Sequence, residues 1–116
     1  MPFPLCCIDE GDFCPLGLTK ILVGKRFGKP SCGQDTINEL IVENALIHGE
    51  VVRLKGGDPF IFGRGYEELL YAANHGIQTE VIPGISSSYS VPAMAGIPVT
   101  SRGTSESFWV VTGTTK

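Results

Sequence analysis

Apolar positions come in short runs, separated by amphipathic stretches and glycine-rich loops. "KILVG" (Lys20–Gly24) is an apolar run closed by glycine, and it predicts a buried strand. The basic loop "GKRFGKPSCGQ" follows. Asp35 is placed to cap a helix running to about His48: Ile37, Leu40, Ile41 and Ala45 share one face, and Gly49 is the stop signal. "EVVRLK" (Glu50–Lys55) predicts the next strand. A second helix opens with Glu67 and Glu68 in its first turn, where carboxylates complement the positive end of the dipole. Leu69, Leu70 and Ala73 supply its apolar side, and His75 and Gly76 close it. "IQTEVIPG" (Ile77–Gly84) predicts a third strand, "ISSSYSVPAMAG" a short helix from Ser86, "IPVTSRGTSE" a connector, and "SFWVVTG" (Ser107–Gly113) a fourth strand. Residues 1–18 show neither period, are interrupted by Pro2, Pro4 and Pro15, and are expected to be irregular.

Strands alternating with helices predict an α/β fold, a parallel sheet with flanking helices. The 116 residues suffice for one modest domain. In such sheets ligands bind beyond the carboxyl ends of the strands. Those ends carry "GKRFGK", "KGGDPF" and "PGISSS", so three loops point at one rim.

The net charge of −3 argues against a general nucleic-acid binder. No apolar run approaches the length of a membrane span, so no membrane is expected as a partner. No basic stretch followed by an apolar one opens the chain, which favours the cytoplasm. Acids concentrate on the helices (Asp35, Glu39, Glu43, Glu67, Glu68), as on solvated faces. Bases gather near the loops: Lys25, Arg26, Lys29, Arg53, Lys55, Arg64 and Arg102. They read equally as exposed loop residues and as partners of an anionic ligand. Cys6, Cys7, Cys14 and Cys32 form no C-x-x-C pair, and free thiols are expected in preference to a metal site or a disulfide. His48 and His75 fall at helix ends, where capping is the expected role, and no metal is expected.

Familiar phosphate and nucleophile motifs fail on inspection. Gly24–Lys25 is followed by Arg26 rather than Ser or Thr, Glu68 stands where a dinucleotide fingerprint after "GRG" needs its third glycine, and Ser88 stands where a nucleophile elbow needs one. Gly56 and Gly57 lack a Cβ, so their backbone groups can approach a ligand closely. Asp58 precedes Pro59 and is held extended, with an acceptor-only side chain. Two readings stand: a tight turn with an Asp cap, or a backbone-lined pocket for a neutral or cationic nucleoside-like ligand.

Five strings occur in order: "VGKRFG", "VVRLKGGDPFIFGRGYEE", "EVIPGISSS", "AGIPVTSRG" and "SFWVVTG". From about Thr19 to Lys116 the chain closely resembles the uroporphyrinogen-III C-methyltransferase family of the tetrapyrrole methylase superfamily. The resemblance implies methyl transfer from S-adenosyl-methionine to ring carbons of uroporphyrinogen III, giving precorrin-2 on the way to siroheme and cobalamin. S-adenosyl-homocysteine is the implied by-product, and a two-domain homodimer with the cofactor between domains the implied assembly. It maps the cofactor pocket to Gly56, Gly57, Asp58 and Ile61, with further contacts at Ser86 and Ser87, and gives Lys25 the role of proton donor. Arg26, Arg64 and Arg102 are expected counter-charges for the carboxylates of the tetrapyrrole, because guanidinium groups pair with carboxylates bidentately.

The sequence departs from that family at its start. The opening strand with its G-x-G-P-G-D loop, and the Y-D-x-L-V-like segment with the suggested proton acceptor, are not found. The expected organisation is therefore a non-matching stretch at 1–18, a partial N-terminal methylase domain at 19–98, and a linker with the first strand of a second domain at 99–116. A sheet lacking its first βα unit exposes a strand edge, so the isolated chain is expected to be weakly stable and to have little activity. Two other functions stand beside this one: a methylase of a different precorrin, and a cofactor-binding module without turnover.

Overall fold

The computed structural model describes residues 6–9, 17–24 and 32–113. Three strands form one parallel sheet: β1 (Cys6–Asp9), β2 (Thr19–Leu22) and β3 (Val51–Arg53), in the order β2-β1-β3. β1 lies between the others, with Ile8 opposite Ile21 on one side and Arg53 on the other. The expectation of an irregular start is thus corrected at Cys6–Asp9. The physical reason is that a central parallel strand is buried on both faces, so "CCI" needs no alternation, and four residues are too few to show a period. Cys7 and Ile8 are almost wholly buried. Cys7 is disulfide-bonded, against the expectation of free thiols, whereas Cys32 is free.

Helix α1 (Gln34–His48) starts from Gly33 rather than from a side-chain cap, and Asp35 sits in its first turn. Its buried face carries Ile37, Ile41, Val42 and Ala45. Gly49 ends it at φ 82° with its N–H on the carbonyl of Ala45. Helix α2 (Gly65–Asn74) buries Gly65, Glu68 and Ala72, whereas Leu70 and Ala73 are exposed, so its inward face is turned from the one expected. Helix α3 (Ser87–Met94) begins where the sequence places it, and none of its residues is buried. Ile8, Val23, Ile37, Ile41, Val42 and Ala72 make the core, with Ile21, Leu40, Val51, Tyr71 and Ile77 packed against it.

Two expected strands are absent among the described residues. Ile77–Gly84 and Ser107–Gly113 hold no ladder, because neither meets a neighbouring strand. β-structure needs a partner as well as a suitable composition. No helix among the described residues is long and apolar enough to cross a membrane.

Candidate functional site

The loop after β3 and the loop before α3 are tied together by one side chain. Asp58 Oδ1 accepts the N–H of Phe60 at 2.8 Å, and Asp58 Oδ2 accepts the N–H of Gly84 at 3.1 Å. The first bond closes the turn that Pro59 preorganises, and the N–H of Ile61 reaches the carbonyl of Asp58 at 3.3 Å. The second bond crosses to the "PGISS" loop. Asp58 is therefore both the turn cap and the link between two rim loops.

Glycine is required on both sides of that link. Gly57 adopts φ 69°, a conformation costly for other residues. A Cβ on Gly84 would stand 2.9 Å from the carbonyl carbon of Gly57 and overlap its oxygen. The loops thus meet main chain to main chain. Tyr89 adds a bond from its hydroxyl to the carbonyl of Gly84 at 3.4 Å. Ser86 is buried and its Oγ accepts the N–H of Ser88, capping α3. Phe62 and Arg64 hold left-handed φ values of 52° and 56°, so the turn from "FGRG" into α2 carries backbone strain beside the site.

Beneath the rim sits a buried charge cluster. Glu68 is 4% exposed, and its Oε1 accepts from Lys55 at 3.0 Å, from Gln34 at 3.2 Å and from Arg53 at 3.3 Å. Arg53 and Lys55, the cations nearest the glycine pair, thus turn inward to a carboxylate of α2. This corrects the reading of Glu68 as a solvated helix face. A carboxylate following "RLK" at one helical crossover was the available signal, but charges default to the surface unless a partner is known.

The expected site residues divide cleanly. Gly56, Gly57, Asp58 and Ile61 lie on one loop, and a Cβ on Gly57 would meet the Cα of Ser86 at 3.9 Å. Ser87, exposed, is the first residue of α3. Arg64 is exposed and pairs with Glu67 at 3.2 Å, while Arg102 is exposed in the turn closed by Ser101 and Ser105. Lys25 and Arg26 lie outside the described residues. A cleft of about 430 Å³ runs beside the rim, walled by Phe60, Ile61, Phe62, Tyr89 and Phe108, with Ser88 as a polar group. Apolar walls with few polar groups suit a small organic ligand. Sequence reasoning missed these aromatic walls and Gly84. A second cavity, of about 580 Å³, separates β3 from Gln78–Ile82.

Comparison with known proteins gives the family. Residues 17–116 match the family described as Tetrapyrrole (Corrin/Porphyrin) Methylases. A uroporphyrinogen-III C-methyltransferase of Methanocaldococcus jannaschii is 59% identical over 93 residues, covering 80% of this chain and 38% of the relative. A siroheme synthase of Photorhabdus laumondii is 54% identical over 94 residues, covering 81% and 20%. The crystal structure of uroporphyrin-III C-methyl transferase from Thermus thermophilus complexed with S-adenyl homocysteine superposes with a TM-score of 0.65 at 36% identity, covering 90% of this chain and 45% of that one. The chain spans less than half the length of each. With the matched segment taking in both rim loops and α2, the chain belongs to the tetrapyrrole methylases.

Proposed function

We propose that this chain forms the S-adenosyl-methionine-binding part of a uroporphyrinogen-III C-methyltransferase, yielding S-adenosyl-homocysteine and precorrin-2 for siroheme and cobalamin synthesis. The assembled enzyme is a cytoplasmic homodimer in this reading. The observation that carries it is the pair of rim loops joined through Asp58 and Gly84, beside an apolar cleft.

The residues present fit the donor. Gly56 is exposed and a Cβ on it would meet nothing within 4 Å, so bare main chain faces solvent at the rim. Phe60, Ile61 and Tyr89 offer apolar and aromatic surface to a base and a thioether. When bound, the donor supplies a methyl group on a sulfonium, open to in-line attack by an electron-rich pyrrole carbon. The chain's part is alignment, which lowers the barrier without a protein nucleophile. Asp58 fixes the spacing of the two loops, and Ser86 fixes the start of α3. Methyl transfer makes the attacked carbon quaternary and leaves the macrocycle cationic, so a proton must move elsewhere on the ring, and Lys25 is assigned the donor role through the resemblance of "VGKR". Arg26, Arg64 and Arg102 are assigned to the substrate carboxylates.

Calorimetry of the full chain with S-adenosyl-homocysteine tests the reading, and saturable binding is expected. Gly56→Val should weaken that binding at least tenfold with an unchanged melt, since the new side chain fills only the ligand's space. No binding by the parent chain, or equal binding by the variant, refutes it.

A further inference from the structure

The apolar cleft beside the rim holds one hydroxyl whose hydrogen is not spent within the protein. Phe60, Phe62 and Phe108 wall the cleft, with Ser88, half-buried on α3, among them. Ser88 Oγ stands 2.8 Å from Ser86 Oγ, and Ser86 Oγ also accepts the N–H of Ser88 at 3.3 Å. The two hydroxyls share one O–H···O bond, which can run either way. If Ser88 donates, the hydroxyl hydrogen of Ser86 is left without an acceptor among the described residues, although Ser86 is only 7% exposed. A buried donor without a partner is costly. If Ser86 donates, its hydrogen and its oxygen are both satisfied, and Ser88 keeps its own hydrogen at the cleft wall. The second arrangement is therefore the favoured one. Tyr89, the other hydroxyl on the wall, gives its hydrogen to the carbonyl of Gly84 at 3.4 Å.

We propose that Ser88 reads the base of the ligand, its hydroxyl donating to a ring nitrogen of an uncharged heterocycle held between the aromatic walls. The assignment rests on the proposed function and adds to it the residue that selects the base. The chemistry of the cleft narrows the occupant. A wholly apolar ligand would take water from the Ser88 hydroxyl and return no hydrogen bond, which costs free energy. A carboxylate would find no cation, and an ammonium no anion, because none of the described residues lining the cleft is charged. A planar, uncharged ring system with an acceptor in its edge meets both conditions. It stacks on aromatic faces and takes the one free hydrogen. Of the parts of S-adenosyl-methionine, the amino-acid chain and the sulfonium are charged and the ribose is neither flat nor apolar. Adenine alone is planar, uncharged and supplied with ring-nitrogen acceptors. Ser86 holds the Ser88 hydroxyl in place from behind, and is a positioning residue for this contact.

The test is calorimetry of the full chain with S-adenosyl-homocysteine and its three deaza analogues, each with one acceptor nitrogen of the base replaced by C–H. The parent should bind one analogue about fivefold more weakly than S-adenosyl-homocysteine, the worth of one neutral hydrogen bond. Ser88→Ala should bind S-adenosyl-homocysteine about fivefold more weakly and no longer distinguish that analogue. Ser88→Thr, which keeps a hydroxyl, should keep the distinction. A residue that only braced α3 would, when truncated, weaken all four ligands alike and leave the preference intact, and that result overturns the assignment. A parent chain that binds S-adenosyl-homocysteine and all three analogues equally also overturns it, and leaves the proposed function standing. Binding of none of the four overturns both.

Discussion

Replacing Asp58 by Asn separates a loop link from a ligand contact. The side chain keeps its shape, and its remaining oxygen still accepts the exposed N–H of Phe60. The other oxygen becomes an NH2, which faces the N–H of Gly84 donor to donor, where the carboxylate stood 3.1 Å away. A hydrogen bond to a charged group is worth about 1.5–3 kcal/mol, and the half-buried N–H is then left without a partner. A loss of about 2 kcal/mol is expected, roughly a 30-fold rise in loop opening. Amide exchange at Gly84 in the ligand-free chain reads that opening directly, and calorimetry with S-adenosyl-homocysteine reads its effect on the site. Both should change together. Parent-like exchange at Gly84 with weakened ligand binding would refute the link, and make Asp58 a plain ligand contact.

Gly84→Ala reaches the same loops by another route. Its Cβ cannot avoid the carbonyl of Gly57, so the loops must part, with a loss of about 1–3 kcal/mol in the melt and weaker ligand binding although Asp58 is intact. Ile8→Ala tests the central strand: Ile8 is fully buried, and its truncation should cost about 3 kcal/mol in urea unfolding, whereas an unchanged midpoint would remove Cys6–Asp9 from the sheet.

What the sequence discloses depends on how local the cause is. α1 is legible because Ile37, Ile41 and Ala45 repeat at helical spacing and Gly49 can take the closing φ, all within one segment. The start of α3 is legible for the same reason, since Ser86 caps it locally. Strands are less so. "CCID" is shorter than any periodic signal, and its place between β2 and β3 is decided by residues far along the chain. "IQTEVIPG" has strand composition, yet pairing requires a neighbour that composition does not name. The site shows the same division. "GGDP" and "PGISS" each announce a turn, but the bond between Asp58 and Gly84 spans 26 positions and has no sequence signature.

Glu68 shows why the missed residue matters chemically. Arg53 and Lys55 immediately precede the glycine pair, and a sulfonium donor bound there would meet two like charges. The carboxylate of Glu68 draws both inward, at 3.3 and 3.0 Å, from beneath the loop. Bare main chain then faces solvent at the rim while the cations stay mostly buried. Glu68→Gln keeps the shape and the contact to Gln34 but removes that charge. Stripping the carboxylate from a buried pair costs about 3 kcal/mol, and added salt restores little of it because the cluster is shielded from solvent. The sharper consequence lies in ligand choice. S-adenosyl-methionine carries the sulfonium charge and S-adenosyl-homocysteine does not, so the variant should lose affinity for the first about threefold or more beyond its loss for the second. Equal losses for the two ligands would mean that Glu68 holds β3 to α2 without shaping the field at the rim.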